Sequence, residues 1–252
     1  MKFVLGVIGL LWKLYILVIF TITAIFFYPI IRLQLGSMEK QRKAFKAFVA
    51  WSRVFKVLCF YGVKKIQSSP LPQGPYLILA NHSSYLDIFL MYSVMPDHPF
   101  LFLGKSEILK YPLIRAYFKR MNIPVYRNDK LKSAKAFIKA KSEVKNGWSI
   151  MIFPEGGIPD ENPKMIPFKN GAFQLAKSLH VPIVPITFTN NFELFSDPTH
   201  ILGRAHPGIS KVHIHQYISS EEVANMEIAE LSQKCFDIIN QPILDEYPEL
   251  AQ

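Results

Sequence analysis

The residue types best able to do chemistry in this sequence gather at Asn81-His82-Ser83-Ser84-Tyr85-Leu86-Asp87. A histidine can take a proton from a hydroxyl when a carboxylate fixes its tautomer and supports the imidazolium that forms. His82 and Asp87 lie five residues apart. With His82 in a loop and Asp87 in the first turns of the helix that follows, that spacing brings the two side chains together. Ser84 is placed to cap the helix. By itself the pair says little, because a histidine and an aspartate meet at this spacing by chance and either can be purely structural. Ser83 and Ser84 invite a serine–histidine hydrolase reading, but a nucleophilic serine stands in a strained Gly-x-Ser-x-Gly elbow, which the sequence lacks.

Three further clusters strengthen the pair. In Phe153-Pro154-Glu155-Gly156-Gly157, the proline stops a strand, Glu155 can project into a cleft, and the glycines let backbone approach a ligand closely. Gly104-Lys105-Ser106-Glu107 and Ile123-Pro-Val-Tyr-Arg127 put cations just past two short apolar runs. Lys105 and Arg127 suit a phosphate, Arg127 through its planar fork, although Arg115, Lys119, Arg120 and Lys130 make a plain surface charge the competing reading. The other histidines, His98, His180, His200, His206, His213 and His215, show no grouping with a carboxylate or thiol, so no metal site is expected.

The elements that must position these groups follow from the pattern of apolar residues. Short β-rich runs fall at 76–80, 100–104, 123–126, 149–153, 181–189 and 212–217. Helical stretches fall at 85–95, 108–121, 130–145 and 171–179, with an acidic helix from Glu221 onward. Strands alternating with helices predict an α/β fold with a central, mostly parallel sheet flanked by helices. In such sheets ligands bind beyond the strand ends, and all four clusters follow a strand.

Half of the residues are apolar, and 29 Lys and Arg oppose 19 Asp and Glu, a formal charge of +10. A balance of this kind wants an anionic partner. The charge is uneven: residues 32–65 carry nine basic side chains against Glu39, and residues 101–146 carry twelve against three acidic ones. From 215 to the end, eight acidic residues face Lys234 alone. Residues 3–31 are almost wholly apolar, broken by Lys13, and 14–31 form an 18-residue run without charge, near the length that crosses a bilayer. Phe26-Phe27-Tyr28-Pro29 offers no small-residue cleavage site, so the segment reads as a retained membrane helix ending near Pro29. Next, Arg32, Lys40, Arg42, Lys43, Lys46, Arg53 and Lys56 are interleaved with Phe45, Phe48, Val49, Trp51, Phe55, Val57, Leu58 and Phe60, as in a basic amphipathic helix lying on an anionic membrane. The charge excess after the first helix assigns that side to the cytoplasm. Either a spanning helix or one that bends back within one leaflet fits. Two units are therefore expected, a membrane-binding segment over 1–65 and a catalytic domain over 66–252. The cysteines, Cys59 and Cys235, form no disulfide framework and suit a reducing compartment. The lysine-rich 130–145 helix lacks the aromatic platform of a nucleic-acid binder, so no nucleic acid is expected. It reads as a solvated face, or as a dock for an acidic carrier protein.

Taken in order, Asn81-His82-x-x-x-x-Asp87, Lys105-x-Glu107 with Arg127, Phe153-Pro-Glu-Gly156 and Val181-Pro-Ile-Val-Pro185 resemble the blocks of the glycerolipid acyltransferase family over roughly residues 76–190. Its best-known bacterial type is 1-acyl-glycerol-3-phosphate (lysophosphatidate) acyltransferase. The resemblance implies that His82 deprotonates an acceptor hydroxyl, which attacks an acyl thioester directly, while Asp87 orients His82. It implies that Arg127 and Lys105 bind the acceptor phosphate, that Asn81, Glu155, Gly156 and Gly157 shape the acceptor site, and that Pro185 lines an acyl pocket. No cofactor is implied; acyl-coenzyme A or acyl carrier protein enters as donor substrate. A lysophospholipid is the acceptor and the bilayer the partner, with the domain on the cytoplasmic face of the inner (plasma) membrane. Lys169 and Gly171 sit where related sequences repeat a basic–glycine turn. One departure is visible: Gly157-Ile158-Pro159 stands where the family block often continues Thr-Arg-Ser, removing a hydroxyl and a cation. Lysophosphatidate therefore shares the field with other lysolipids, such as a lyso-aminolipid. A catalytically silent lipid-binding protein, or a thioesterase or lipase, are the rival classes.

Overall fold

A computed structural model describes residues 2–36 and 38–251. Its centre is a seven-stranded sheet in the order β1-β7-β6-β2-β5-β3-β4. The strands are β1 Tyr61–Ser68, β2 Leu77–Ala80, β3 Phe100–Lys105, β4 Ile123–Val125, β5 Ser149–Ile152, β6 Ile183–Phe188 and β7 Gly208–Ile214. β6, β2, β5, β3 and β4 run parallel, while β7 lies antiparallel to β6 and carries β1 parallel to itself. β2 and β5 are buried at every residue. That burial on both faces is why they read as unbroken apolar runs.

Nine α-helices are assigned among the described residues: α1 Lys2–Leu33, α2 Met38–Leu58, α3 Tyr85–Val94, α4 Pro112–Met121, α5 Lys130–Lys145, α6 Gly171–Leu179, α7 Asn191–Leu194, α8 Ser220–Asn225 and α9 Ile228–Glu246. The α/β architecture with a mostly parallel central sheet is as the pattern predicts. Three local expectations change. The single helix expected over 108–121 is a 3-10 turn at Ser106–Lys110 followed by α4, because Pro112 sets its own N-terminus and keeps Tyr111 extended at φ −86, ψ 113. The acidic C-terminal helix is two helices, broken between Asn225 and Ile228. Residues 61–65, expected in the membrane-binding segment, and 66–68, expected in the catalytic domain, together form β1, so the boundary drawn between residues 65 and 66 falls inside a strand. β1 is an edge strand exposed from Lys64 to Ser68 and lacks the apolar alternation that signals a half-buried strand.

The two N-terminal helices are part of the same core. α2 buries Phe45, Phe48, Trp51 and Phe55, the aromatic face read from sequence as the membrane face. Phe48 stacks on Tyr92 of α3 at 5.2 Å, Trp51 meets Phe89 edge-on at 4.9 Å, and the Ser52 hydroxyl donates to the Phe89 carbonyl at 2.8 Å. α1 lies on α2, with the Trp51 indole donating to Thr23 Oγ1 at 2.9 Å. Over Phe3–Leu33, α1 is the one helix among the described residues long and apolar enough to cross a membrane. Its outer face leaves Phe3, Leu11, Leu14, Leu17, Val18, Ile22, Ile25 and Phe26 exposed. The inner face is tied down near its start. A Cβ on Gly9 would come within 2.9 Å of the Gly203 carbonyl, and the buried Lys13 ammonium donates to Ser196 Oγ at 2.9 Å and to the His200 carbonyl at 2.6 Å.

Candidate active site

The site is built where β2, β5, β3 and β4 end. Being parallel and in register (Leu79 opposite Ile152, Phe102 opposite Met151, Gly104 opposite Pro124), they release their following loops at one edge of the sheet. Asn81 leaves β2 first. Its amide donates to the Phe188 carbonyl at 2.9 Å and accepts from the Phe188 N–H at 2.8 Å, continuing the β2–β6 ladder with a side chain. Both of its polar groups are thereby used, so it holds the loop in register instead of facing a ligand.

His82 follows. Its Nδ1 lies 3.0 Å from Asp87 Oδ2, and its ring stacks on Phe153 with centroids 4.1 Å apart. Asp87 is wholly buried as the third residue of α3. Its Oδ2 also accepts from the backbone N–H groups of Ser83 at 2.7 Å and Ser84 at 2.8 Å, and its Oδ1 accepts from the Asn191 amide at 2.7 Å. Four donors and a helix N-terminus therefore surround the buried carboxyl group. A carboxylate is an acceptor only, so the shared proton belongs on His82 Nδ1, and the Nε2 lone pair is left uncommitted. The Ser84 hydroxyl caps α3 by accepting from the Leu86 N–H and donates to the Phe195 carbonyl at 2.6 Å. Asn191 and Phe195 are supports that sequence reading misses, since nothing local marks an asparagine 104 residues from its partner.

Beyond β5, Glu155 turns inward and is 1% exposed. Its carboxylate accepts from the His82 N–H at 2.8 Å and the Ile166 N–H at 3.1 Å, bracing the histidine's backbone against the next loop. Burial pushes its pKa up to about 7; the two backbone hydrogen bonds oppose that rise and Asp87 adds to it. Gly156 adopts φ +80, open to glycine at little cost, and its carbonyl accepts from Arg127 Nη2 at 2.6 Å. A Cβ there would fall 2.6 Å from Arg127 Nη2 and 2.9 Å from Lys169 Nζ, and one on Gly157 would fall 2.7 Å from Lys105 Nζ. Three cations therefore converge on two bare glycines. Burial, followed by the neighbouring charges of Arg127 and Lys105, holds the Lys169 ammonium below the usual lysine range. Among the described residues, none of the three forms an ion pair with a carboxylate.

Of the residues singled out from sequence, His82, Asp87 and Glu155 form one hydrogen-bonded unit, with Lys105, Arg127, Gly156 and Gly157 adjoining it. Pro185 stands apart, buried within β6 opposite Leu79, where its missing N–H coincides with the end of the antiparallel ladder to β7. The His82 Nε2 atom, which makes no hydrogen bond to the protein among the described residues, and a carboxylate-free cation cluster at the glycines after Glu155 suit a hydroxyl-bearing molecule with an anionic group.

The profile of the Acyltransferase family matches residues 59–189, a span from β1 through β6 that holds the dyad, Glu155 and all three cations. The chain belongs to the Acyltransferase family. It is 30% identical over 188 residues to the 1-acyl-sn-glycerol-3-phosphate acyltransferase of Saccharomyces cerevisiae, covering 73% of this chain and 60% of that one. With the Escherichia coli protein of the same name it shares 26% over 181 residues, 71% of each chain. It is 29% identical to a chloroplastic relative from Brassica napus over 71% of this chain and 52% of that one, so it spans little more than half of some relatives it matches. The crystal structure of the 1-acyl-sn-glycerophosphate acyltransferase from Thermotoga maritima superposes with a TM-score of 0.78 over 98% of both chains at 20% identity, which establishes a shared fold. The Asn191 and Phe195 supports and the whole of α1 and α2 lie outside the matched span.

Proposed function

We propose that this chain transfers an acyl group from an acyl thioester to the free hydroxyl of a lysophospholipid, with 1-acyl-glycerol-3-phosphate as the preferred acceptor. The observation that carries this reading is a histidine with no protein hydrogen bond at Nε2 among the described residues, braced by Glu155, which is followed directly by the two glycines on which three cations without a carboxylate partner converge. The acceptor phosphate rests on Lys105, Arg127 and Lys169, and its hydroxyl faces Nε2 of His82. His82 takes the hydroxyl proton as the oxygen attacks the thioester carbonyl; a C–O bond forms, the C–S bond breaks, and the imidazolium returns the proton to the leaving thiolate. Asp87 supports the imidazolium during that passage. Direct transfer is favoured over an acyl-enzyme because the Ser84 hydroxyl is committed to the Phe195 carbonyl, and the buried Ser83 hydroxyl has no hydrogen-bond partner to activate it.

Lys169 answers the departure at Gly157-Ile158-Pro159. The cation that the family block often carries in that turn is absent, but Lys169, from the segment before α6, stands over Gly156 and keeps a third cation at the site. Three cations without a carboxylate partner support a phosphate-bearing acceptor over a lyso-aminolipid.

Attachment to one leaflet, on the cytoplasmic face, fits α1 better than crossing does. The helix is held against the domain along its length: Trp12 donates to Tyr61, Lys13 to the 196–200 loop, Tyr15 to the Leu58 carbonyl, and the Ala24 carbonyl accepts from Tyr117. A helix bound on one side from residue 12 to residue 24 has only its opposite apolar face to bury in lipid. The test is acyl transfer from labelled acyl-coenzyme A and acyl carrier protein to a panel of lysolipids, wild type beside His82→Ala. Product on lysophosphatidate that is lost in the variant is expected. Product confined to another lysolipid would move the substrate, and no product from wild type would refute the enzymatic reading.

A further inference from the structure

A second group of cations lies beside the first. Where the 3-10 turn after β3 and helix α4 diverge, a cleft of about 390 Å³ is lined by Ser106, Leu109, Lys110, Arg115, Lys119 and Tyr126. The chain joins it directly to the active site, since Ser106 follows Lys105 and Tyr126 precedes Arg127. From residue 105 to residue 128 the sole acidic residue is Glu107, whose carboxylate accepts from the Ser106 hydroxyl at 3.4 Å. Among the described residues, Lys110, Arg115 and Lys119 form no ion pair with a carboxylate. Uncompensated like charges gathered around one concavity raise their mutual repulsion, which an anion relieves. Helix α4, which carries two of these cations, is fixed from behind by the Tyr117 hydroxyl on the Ala24 carbonyl and by Tyr117 against Tyr28.

We propose that this cleft binds the nucleotide phosphates of an acyl-coenzyme A donor. The inference rests on the acyl-transfer reading: that reaction joins two anionic substrates, the Lys105, Arg127 and Lys169 cluster takes the acceptor phosphate, and a separate cation set is left for the donor. The cleft's volume lies within the range of small-molecule sites, roughly 300–1,000 Å³. Arg115 offers a planar fork for a terminal phosphate, Lys110 and Lys119 add point charges, and Ser106 and Tyr126 bring hydroxyls. Three cations and two hydroxyls gathered within one small cleft match the clustered phosphates of a nucleotide better than the dispersed carboxylates of a carrier protein. The cleft binds and orients; no bond is made or broken there.

The full chain in detergent is tested with adenosine 3′,5′-bisphosphate by calorimetry, comparing wild type with Arg115→Gln and Lys110→Gln. Both positions are exposed, so neither change disturbs the core. Each variant should weaken the bisphosphate about tenfold, the loss expected for one charge-assisted hydrogen bond. In turnover, KM for acyl-coenzyme A should rise by a similar factor with KM for lysophosphatidate unchanged. The defect should vanish with S-acyl-pantetheine, which carries no phosphate. An unchanged bisphosphate affinity, a rise falling on the acceptor KM, or a defect that persists with S-acyl-pantetheine would each overturn the assignment. A defect seen only with acyl carrier protein would make the cleft a protein-docking surface and overturn it equally. If wild type transfers no acyl group at all, the parent reading fails, while the calorimetry still decides the cleft.

Discussion

Asp87→Asn isolates the charge that His82 needs. Three N–H groups, from Ser83, Ser84 and the His82 ring, converge on Oδ2, so the introduced amide must put its carbonyl there. Its NH2 then takes the place of Oδ1, 2.7 Å from the Asn191 amide nitrogen, and two donors face each other. Asn191 can relieve this by turning its amide over, because its own Oδ1 is buried without a partner. The fold should survive at a cost of about 2 kcal/mol, the worth of a charge-assisted hydrogen bond made ordinary. Because the carbonyl still accepts from Nδ1, the histidine keeps its tautomer, and the loss is the charge opposite the imidazolium. Charges about 4 Å apart at an effective dielectric of about 20 interact by about 4 kcal/mol. At about 1.4 kcal/mol per decade, kcat should fall about 10³-fold. The assay is steady-state transfer from acyl-coenzyme A to lysophosphatidate, beside a thermal melt of the same preparation. Both KM values should stay within about threefold of wild type, a difference well under 1 kcal/mol. A kcat loss below tenfold in a folded variant would mean that no imidazolium develops in the transition state, and the base assignment to His82 would go with it.

Glu155 makes a pH-dependent prediction. Its carboxyl is raised from 4.5 to about 7 in the folded protein, so folding takes up a proton between those values. Its contribution to stability is therefore largest below about pH 4.5 and declines as pH rises through 7, by on the order of 3 kcal/mol. Glu155→Gln should remove that decline, read as the difference between the two melting curves across pH; a flat difference would contradict it. Lys169→Ala should raise KM for lysophosphatidate about tenfold with kcat little changed, and should leave KM for an uncharged monoacylglycerol alone. Equal effects on both acceptors would remove Lys169 from phosphate binding. Lys13→Met strips the carbonyl of His200 and the hydroxyl of Ser196 of their donor and should cost about 2 kcal/mol of stability. Because the same loop carries Phe195 and Asn191 to the dyad, kcat should fall severalfold, and Lys13→Arg should restore part of it; full activity in the methionine variant would uncouple α1 from the site.

The sequence by itself determined what is local. Apolar runs closed by Gly104, Asn81 and Pro154 marked strand ends, because a buried parallel strand leaves no room for polar residues until it exits the sheet. The five-residue step from His82 to Asp87 was legible for the same reason: a helix capped at Ser84 puts its third residue beneath the preceding loop. The apolar character of α1 was equally plain, and so was Glu155, set between a strand-stopping proline and two glycines. Tertiary structure alone decided the long-range partners. Asn191 reaches Asp87, Asn81 completes the ladder at Phe188, and Lys169 joins Lys105 and Arg127 over two glycines. Nothing near those residues in sequence encodes the meeting, since strand order and helix packing bring them together. The same holds for what covers the aromatic face of α2. Helical spacing reveals that a face is apolar, but the gain from leaving water is nearly the same against lipid as against Tyr92 and Phe89. Hydrophobic burial carries no direction, so only the packed fold shows that α2 turns its aromatics into the protein and leaves Val54, Val57 and Leu58 outward beside the exposed face of α1.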